Sequence, residues 1–166
     1  MSIYQIPIEP DIKNKNVYLS IVHDSSIDKW IADRHYLKSA PLGAIIRMVF
    51  KDNDHKIIGC MLWGHPTARK LDQHSILELY RMYFIDDTEP FIESKCLSMA
   101  RKHIRKHHPQ IKGVIAYSST AEGHEGITYK ADNWYALGTS KGASWETRPG
   151  RIDRDLSVKI RWTRSP

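Results

Sequence analysis

Between residues 44 and 118 the chain lays down three apolar runs, one long helix-patterned stretch and a fourth apolar run. AIIRMVF (44–50), KIIGCMLW (56–63) and ILELYRMYFI (76–85) are rich in branched and aromatic residues, as strands are. The turn Asp52-Asn53-Asp54 makes the first two a hairpin, and a polar loop over 64–75 leads to the third. Asp86-Asp87-Thr88-Glu89-Pro90 then supplies acidic residues, a cap and a first-turn proline. A helix is predicted from about 90 to 107, with Ile92, Cys96, Leu97, Met99, Ala100 and Ile104 as its buried stripe. His107-His108-Pro109 stops it, and a strand over 112–118 follows. Meander strands combined with a crossover helix predict a mixed sheet covered by helices.

The remaining segments fit that sheet. Residues 16–22, 134–140 and 156–163 read as strands, 26–37 as a helix and 124–132 as a short helix, giving an α/β fold of about seven strands. In the run 76–85, strict alternation puts Leu77, Leu79, Arg81, Tyr83 and Ile85 on one face and Glu78, Tyr80, Met82 and Phe84 on the other. The chain has 166 residues, 41% hydrophobic and 27% charged, which suits one globular domain and excludes general disorder. No apolar run nears the roughly 20 residues of a membrane helix. The first residues show no basic start followed by an apolar stretch, and two cysteines make no disulfide framework. A cytoplasmic protein with no membrane partner is the expectation.

Charge points to a polyanion. Residues 148–166 hold six basic and two acidic residues, while the first 147 hold nineteen and seventeen. A second cluster, RKHIRKHH, covers 101–108. Arg101, Lys102, Arg105, Lys106, Arg148, Arg151, Arg154, Lys159 and Arg161 are the candidate contacts to nucleic-acid phosphates. A helix end favouring cations at its negative pole explains 101–108 equally simply.

The element order is similar to that of the Gcn5-related N-acetyltransferase fold. That likeness implies an acyl-CoA between the splayed strands 76–85 and 112–118, with its pyrophosphate on the helix starting near Pro90. Tyr83, Thr88 and Ser94 are then candidate cofactor contacts. The loop before that helix, IDDTEPFIES, departs from the acetyltransferase pattern: it has no glycine and four acidic residues.

Three ordered segments carry a narrower likeness: HYLKSAP at 35–41, Leu79-Tyr80-Arg81-Met82, and YSSTAEGHEGITYKADNW at 117–134. Together they resemble the Mom family of phage DNA-modification proteins. The resemblance implies one acetyltransferase-like domain over 1–166, with a basic C-terminal segment from 148. It implies transfer of a carbamoylmethyl-type group to the N6 amine of adenine, which shields DNA from restriction. Double-stranded DNA and a small-molecule donor are the implied partners; acetyl-CoA and iron are the implied cofactors, with no ligand set spaced to name a metal site. Carried over by position, His35, Tyr36, Arg81 and Tyr129 match the family's site residues. The family's aspartate falls at Ser119, a departure at a catalytic position.

These residues suit the chemistry. The N6 lone pair of adenine is delocalised, so a base such as His35 helps. Arg81 suits a carboxylate or phosphate, and Tyr36 and Tyr129 can donate hydrogen bonds or stack. A duplex base must be flipped, and Trp63, Tyr80, Tyr83 and Tyr117 are candidate pocket aromatics. The alternatives are an ordinary acyl-CoA-dependent N-acetyltransferase of a protein or small amine, and a non-enzymatic nucleic-acid-binding domain.

Overall fold

A computed structural model describes residues 12–14, 16–35, 43–86, 88–119, 126–140 and 159–166. The strands are β1 (Ile12–Asn14), β2 (Val17–Val22), β3 (Ala44–Lys51), β4 (Ile57–Gly64), β5 (Ile76–Phe84), β6 (Gly113–Ser119), β7 (Tyr135–Ser140) and β8 (Lys159–Arg164). The helices are α1 (Ser26–Arg34), α2 (Ile92–His107) and α3 (Ile127–Ala131). All eight strands form one sheet in the order β1-β2-β3-β4-β5-β6-β8-β7. β1, three residues long, is the strand that the sequence pattern does not announce. Neighbours pair antiparallel except β5 and β6, which are parallel as the α2 crossover requires.

Each face of the sheet buries its own helix. Met48, Phe50, Met61, Leu77 and Leu79 pack against Ile92, Cys96, Leu97, Ala100 and Ile104 of α2. Val49, Cys60 and Leu62 pack against Ile27, Trp30 and Ile31 of α1. Arg47 adds a two-pronged bond to Asp28, at 2.9 and 3.2 Å, that ties α1 to β3.

Strict alternation fails in β5. Leu62 lies opposite Arg81 and Trp63 opposite Leu79, so Tyr80 is an extra residue in the ladder. This bulge resets the alternation. Met82 and Phe84 join Leu77 and Leu79 on the α2 side, whereas Tyr80 and Tyr83 pack on the α1 side. Arg81, opposite Leu62, shares the α1 side. The predicted grouping of Arg81 and Tyr83 with Leu79 is corrected by that one residue. Gly64 makes room for it: a Cβ there would collide with the Tyr80 ring, whose hydroxyl donates to the His65 carbonyl.

The helix predicted from Pro90 begins at Ile92. Phe91 caps it in the left-handed region, at φ 64°, with no side-chain hydrogen bond. At the far side of the sheet, α3 and β8 are fastened to α2 by Asp132. Its carboxylate takes two 2.7 Å bonds from Arg101 and one of 2.8 Å from the Trp134 indole. Arg164 of β8 donates to the Asp132 carbonyl and lies 3.7 Å from its carboxylate. Arg101 is therefore removed from the phosphate-binding set: it is 6% exposed and both prongs of its guanidinium are engaged.

Removing one partner of such a pair strands a buried charge, which costs about 3–5 kcal/mol. Asp132→Ala should lose that much in urea unfolding followed by circular dichroism. Lys102→Ala, on the exposed side of the same helix, should change stability by no more than about 0.5 kcal/mol.

Candidate active site

β5 and β6 are bonded only through Ile76–Gly113, Leu77–Val114 and Glu78–Ile115. Beyond Glu78, β5 continues to Phe84 and β6 to Ser119 without pairing to each other. β6 keeps its other neighbour throughout, pairing with β8 from Val114 to Ser119. The result is a V-shaped opening whose vertex is Glu78. The bulge at Tyr80 lies immediately past the vertex, where it bends β5.

Polar side chains gather at that vertex on the α1 side. Glu78 is 6% exposed. Its Oε1 accepts from the Thr67 backbone N–H and hydroxyl, both at 2.9 Å. Among the described residues, its Oε2 takes no hydrogen bond. Burial pushes the carboxyl above the usual glutamate range, opposed by Thr67 and by the charges of Arg161 and Arg81. Tyr117 of β6 accepts a 3.1 Å bond from Arg161 Nε, and the guanidinium carbon stands 5.5 Å from the centre of its ring. Burial raises the Tyr117 hydroxyl, and Arg161 draws it back down. Arg81 Nη1 donates to the Tyr80 carbonyl at 2.7 Å.

Register places the other predicted residues. Ser119, 2% exposed, lies opposite Lys159, and Tyr117 opposite Arg161, so both pairs share the face that carries Glu78 and Arg81. His35 is buried at the end of α1, whose last turn it closes with a 2.7 Å N–H bond to the Ile31 carbonyl; α1 covers this same face. Tyr129 is not gathered with them. It sits on the α2 side, 8% exposed, stacked on Trp162 at 5.9 Å and edge-on to Trp134 at 5.3 Å. Gly126 permits that packing: its φ is +79°, and a Cβ would strike Trp162. The glycine and tyrosine of the motif at 117–134 thus have a packing role. Tyr36, Arg148, Arg151 and Arg154 lie outside the described residues, as does the middle of that motif.

The sequence reading missed Glu78 as a site residue. Its signal was a lone carboxylate inside the apolar run ILELYRMYF. Trp63 is fully buried on the α2 side, and its indole N–H has no hydrogen-bond partner among the described residues. Tyr83 packs edge-on against Trp30 at 5.8 Å. Arg161, a candidate phosphate contact, is half-buried beside Tyr117. Lys102, Arg105 and Lys106 are exposed on the last turns of α2. A hollow of about 300 Å³ opens beyond them, lined by Leu77, Ile111, His65, His108 and Gln110 among others.

The implied cofactors fit unequally. The V-shaped opening suits an extended acyl arm, because the β5 edge facing it is unpaired. The start of α2 does not suit a pyrophosphate. Asp86 and Glu89 are exposed there, Glu93 lies in the first turn, and Lys95 is bonded to Glu89 at 3.1 Å. The Thr88 and Ser94 hydroxyls donate to the carbonyls of Ile85 and Phe91, at 3.4 and 3.0 Å. For iron, the described residues include no group of three or more His, Cys, Asp or Glu able to hold a metal ion. Burial pushes the thiols of Cys60 and Cys96 far up, so neither is a thiolate ligand or nucleophile.

Residues 16–165 match the Mom protein family. The chain belongs to that family. It is 26% identical over 135 residues to the methylcarbamoylase Mom of Escherichia phage Mu. The match takes in 73% of this chain and 55% of that protein, so the chain spans about half the length of its curated relative. In structure it is similar to a ribosomal-protein-S5-alanine acetyltransferase of Vibrio fischeri, with TM-score 0.64, 13% identity, and 93% and 95% of the two chains covered. A spermidine N-acetyltransferase of Vibrio cholerae, solved with CoA and spermine, gives TM-score 0.64 at 10% identity, over 92% and 96%. The fold of this Mom-family chain is that of the Gcn5-related N-acetyltransferases, as the order of elements implied. No described helix is long and apolar enough to cross a membrane.

Burial of Glu78 links the site to stability. Its folded pKa lies above that of the unfolded chain, so its contribution is full below pH 4.5 and is lost as pH rises through the folded value. Glu78→Gln should therefore melt at or above the wild-type temperature at pH 7. The advantage should shrink as pH falls and the wild-type carboxyl is protonated.

Proposed function

We propose that this Mom-family chain transfers a carbamoylmethyl-type group to the N6 amine of adenine in double-stranded DNA. The modified DNA would resist restriction in the cytoplasm of a host cell. The observation that carries the reading is Glu78: a buried carboxylate at the vertex of the strand opening, one oxygen fixed by Thr67, the other unbonded among the described residues.

An acceptor amine with a delocalised lone pair needs a proton acceptor at the moment of attack. Glu78 Oε2 takes the N6 proton while N6 attacks the methylene carbon of a donor that already bears the carbamoylmethyl group. The new C–N bond forms as the leaving group departs with its electron pair. Arg81 and Arg161 offset the negative charge that develops on the donor. His35 and Ser119, on the same side of the sheet, bound the acceptor's space, and Tyr36 is assigned there by family position. Tyr129 holds β8 in place through Trp162.

A small donor bearing the carbamoylmethyl group lies in the opening with its methylene carbon at Glu78; acetyl-CoA by itself would deliver an acetyl group, the product of an ordinary N-acetyltransferase. Lys102, Arg105, Lys106 and Lys159 take DNA phosphates, joined by Arg148, Arg151 and Arg154 of the basic segment.

Nucleoside mass spectrometry on DNA from cells expressing the chain tests the reaction. A new adenosine species is expected with wild type. It should be lost with Arg81→Ala and fall at least about a hundredfold with Glu78→Gln, the scale of a lost general base. Wild type with no new species, well expressed, would overturn the reading. Transfer of acetyl to a polyamine or protein would then favour the second reading, an ordinary N-acetyltransferase, to which the fold likeness lends support.

The DNA surface has its own test. Replacing Lys102, Arg105 and Lys106 together by Ala should lower the slope of log affinity against log salt by about 2 to 3, near 0.9 per phosphate contact. An unchanged slope would place DNA elsewhere.

A further inference from the structure

We infer that the donor is held by its carrier arm in the opening, with no grip on a nucleoside diphosphate at the start of α2. The donor's carrier arm is of pantetheine length or shorter, and acyl thioesters serve as probes of that arm. The inference rests on the reading that the donor occupies the opening between β5 and β6, and it concerns what lies outside that opening.

A diphosphate at a helix start needs close backbone approach, free N–H groups and no competing anions. The start of α2 has N–H groups that no side chain caps, but it lacks the other two. Phe91, 67% exposed, stands in the left-handed conformation at the cap, where glycine would leave space for phosphate oxygens. Asp86, Glu89 and Glu93 surround it with negative charge, and Lys95 is held by Glu89 at 3.1 Å. Ser94 and Thr88 point their hydroxyl protons at backbone carbonyls. An acyl arm meets a different surface. Among the described residues no strand pairs with β5 on its β6 side from Leu79 to Phe84, and apart from the Tyr80 carbonyl, which accepts from Arg81, that edge can bond the amides of an extended chain.

The experiment compares acetyl-CoA, S-acetylpantetheine and adenosine 3′,5′-bisphosphate by titration calorimetry on the full chain. The two thioesters should bind within about fivefold of each other, and the bisphosphate should not bind. Glu89→Gln with Glu93→Gln should tighten acetyl-CoA by about fivefold or more and leave S-acetylpantetheine unchanged. Acetyl-CoA binding more than about fivefold tighter than S-acetylpantetheine in the wild type would overturn the inference, as would binding of neither thioester. No DNA enters the measurement. A chain that modifies no adenine can still meet this expectation, and one that modifies adenine can still fail it.

Discussion

A parallel pair that stayed bonded from end to end would leave no opening beside Glu78, and the extra residue at Tyr80 is what bends β5 away. A bulge adds twist and re-aims side chains, and here it does both at one position. It opens the edge of β5 beyond the vertex. It also moves Arg81 onto the face that carries Glu78 and Tyr117, while Met82 and Phe84 return to the core under α2. Without the bulge, Arg81 would face the apolar packing of α2, where a guanidinium has no place without a partner. The site's composition and its shape therefore come from the same local irregularity.

An opening of this kind needs its second arm held still. β6 is bonded to β8 along its whole outer edge, so β8 supports the arm that β5 has left. β8 is anchored in turn by the Trp162 indole, which donates to Ser118 at 2.9 Å, and by the stack on Tyr129. Asp132 ties the same corner to α2 through Arg101 and Arg164. Residues that look like chemistry in the sequence, a tyrosine in a glycine-bordered motif and an arginine in a basic cluster, take part in this anchorage.

That division explains what the sequence could and could not show. Element order and type were legible because α2's stripe and the strand runs are long and strongly patterned, and the parallel step followed from the crossover. The opening itself was legible only through family likeness, since nothing in ILELYRMYF marks where pairing stops. Alternation misassigned Arg81 and Tyr83 because a bulge is set by the partner strand and by Gly64, not by β5 alone. Arg101 was indistinguishable from Lys102 in a list of charges; only the helix phase, with Arg101 in line with Leu97 and Ile104, separates buried from exposed. Glu78 was overlooked because a carboxylate in an apolar strand reads as an anomaly until the neighbouring guanidinium groups are in place.

Charge along α2 completes the picture. The helix carries Glu89 and Glu93 at its start and Lys102, Arg105 and Lys106 at its end, the distribution its own dipole favours. Stability alone accounts for that pattern, yet it also separates two partners in space. The start of α2 lies where β5 has ended and the donor opening is widest; its end lies where β5 and β6 begin and are still paired. A polyanion is attracted to the second end and repelled from the first. On the proposed reading, the cations at the end of α2 favour DNA there, while Lys159, opposite Ser119, adds a cation at the open end. The acidic residues at the start of α2 disfavour a diphosphate and DNA phosphates alike.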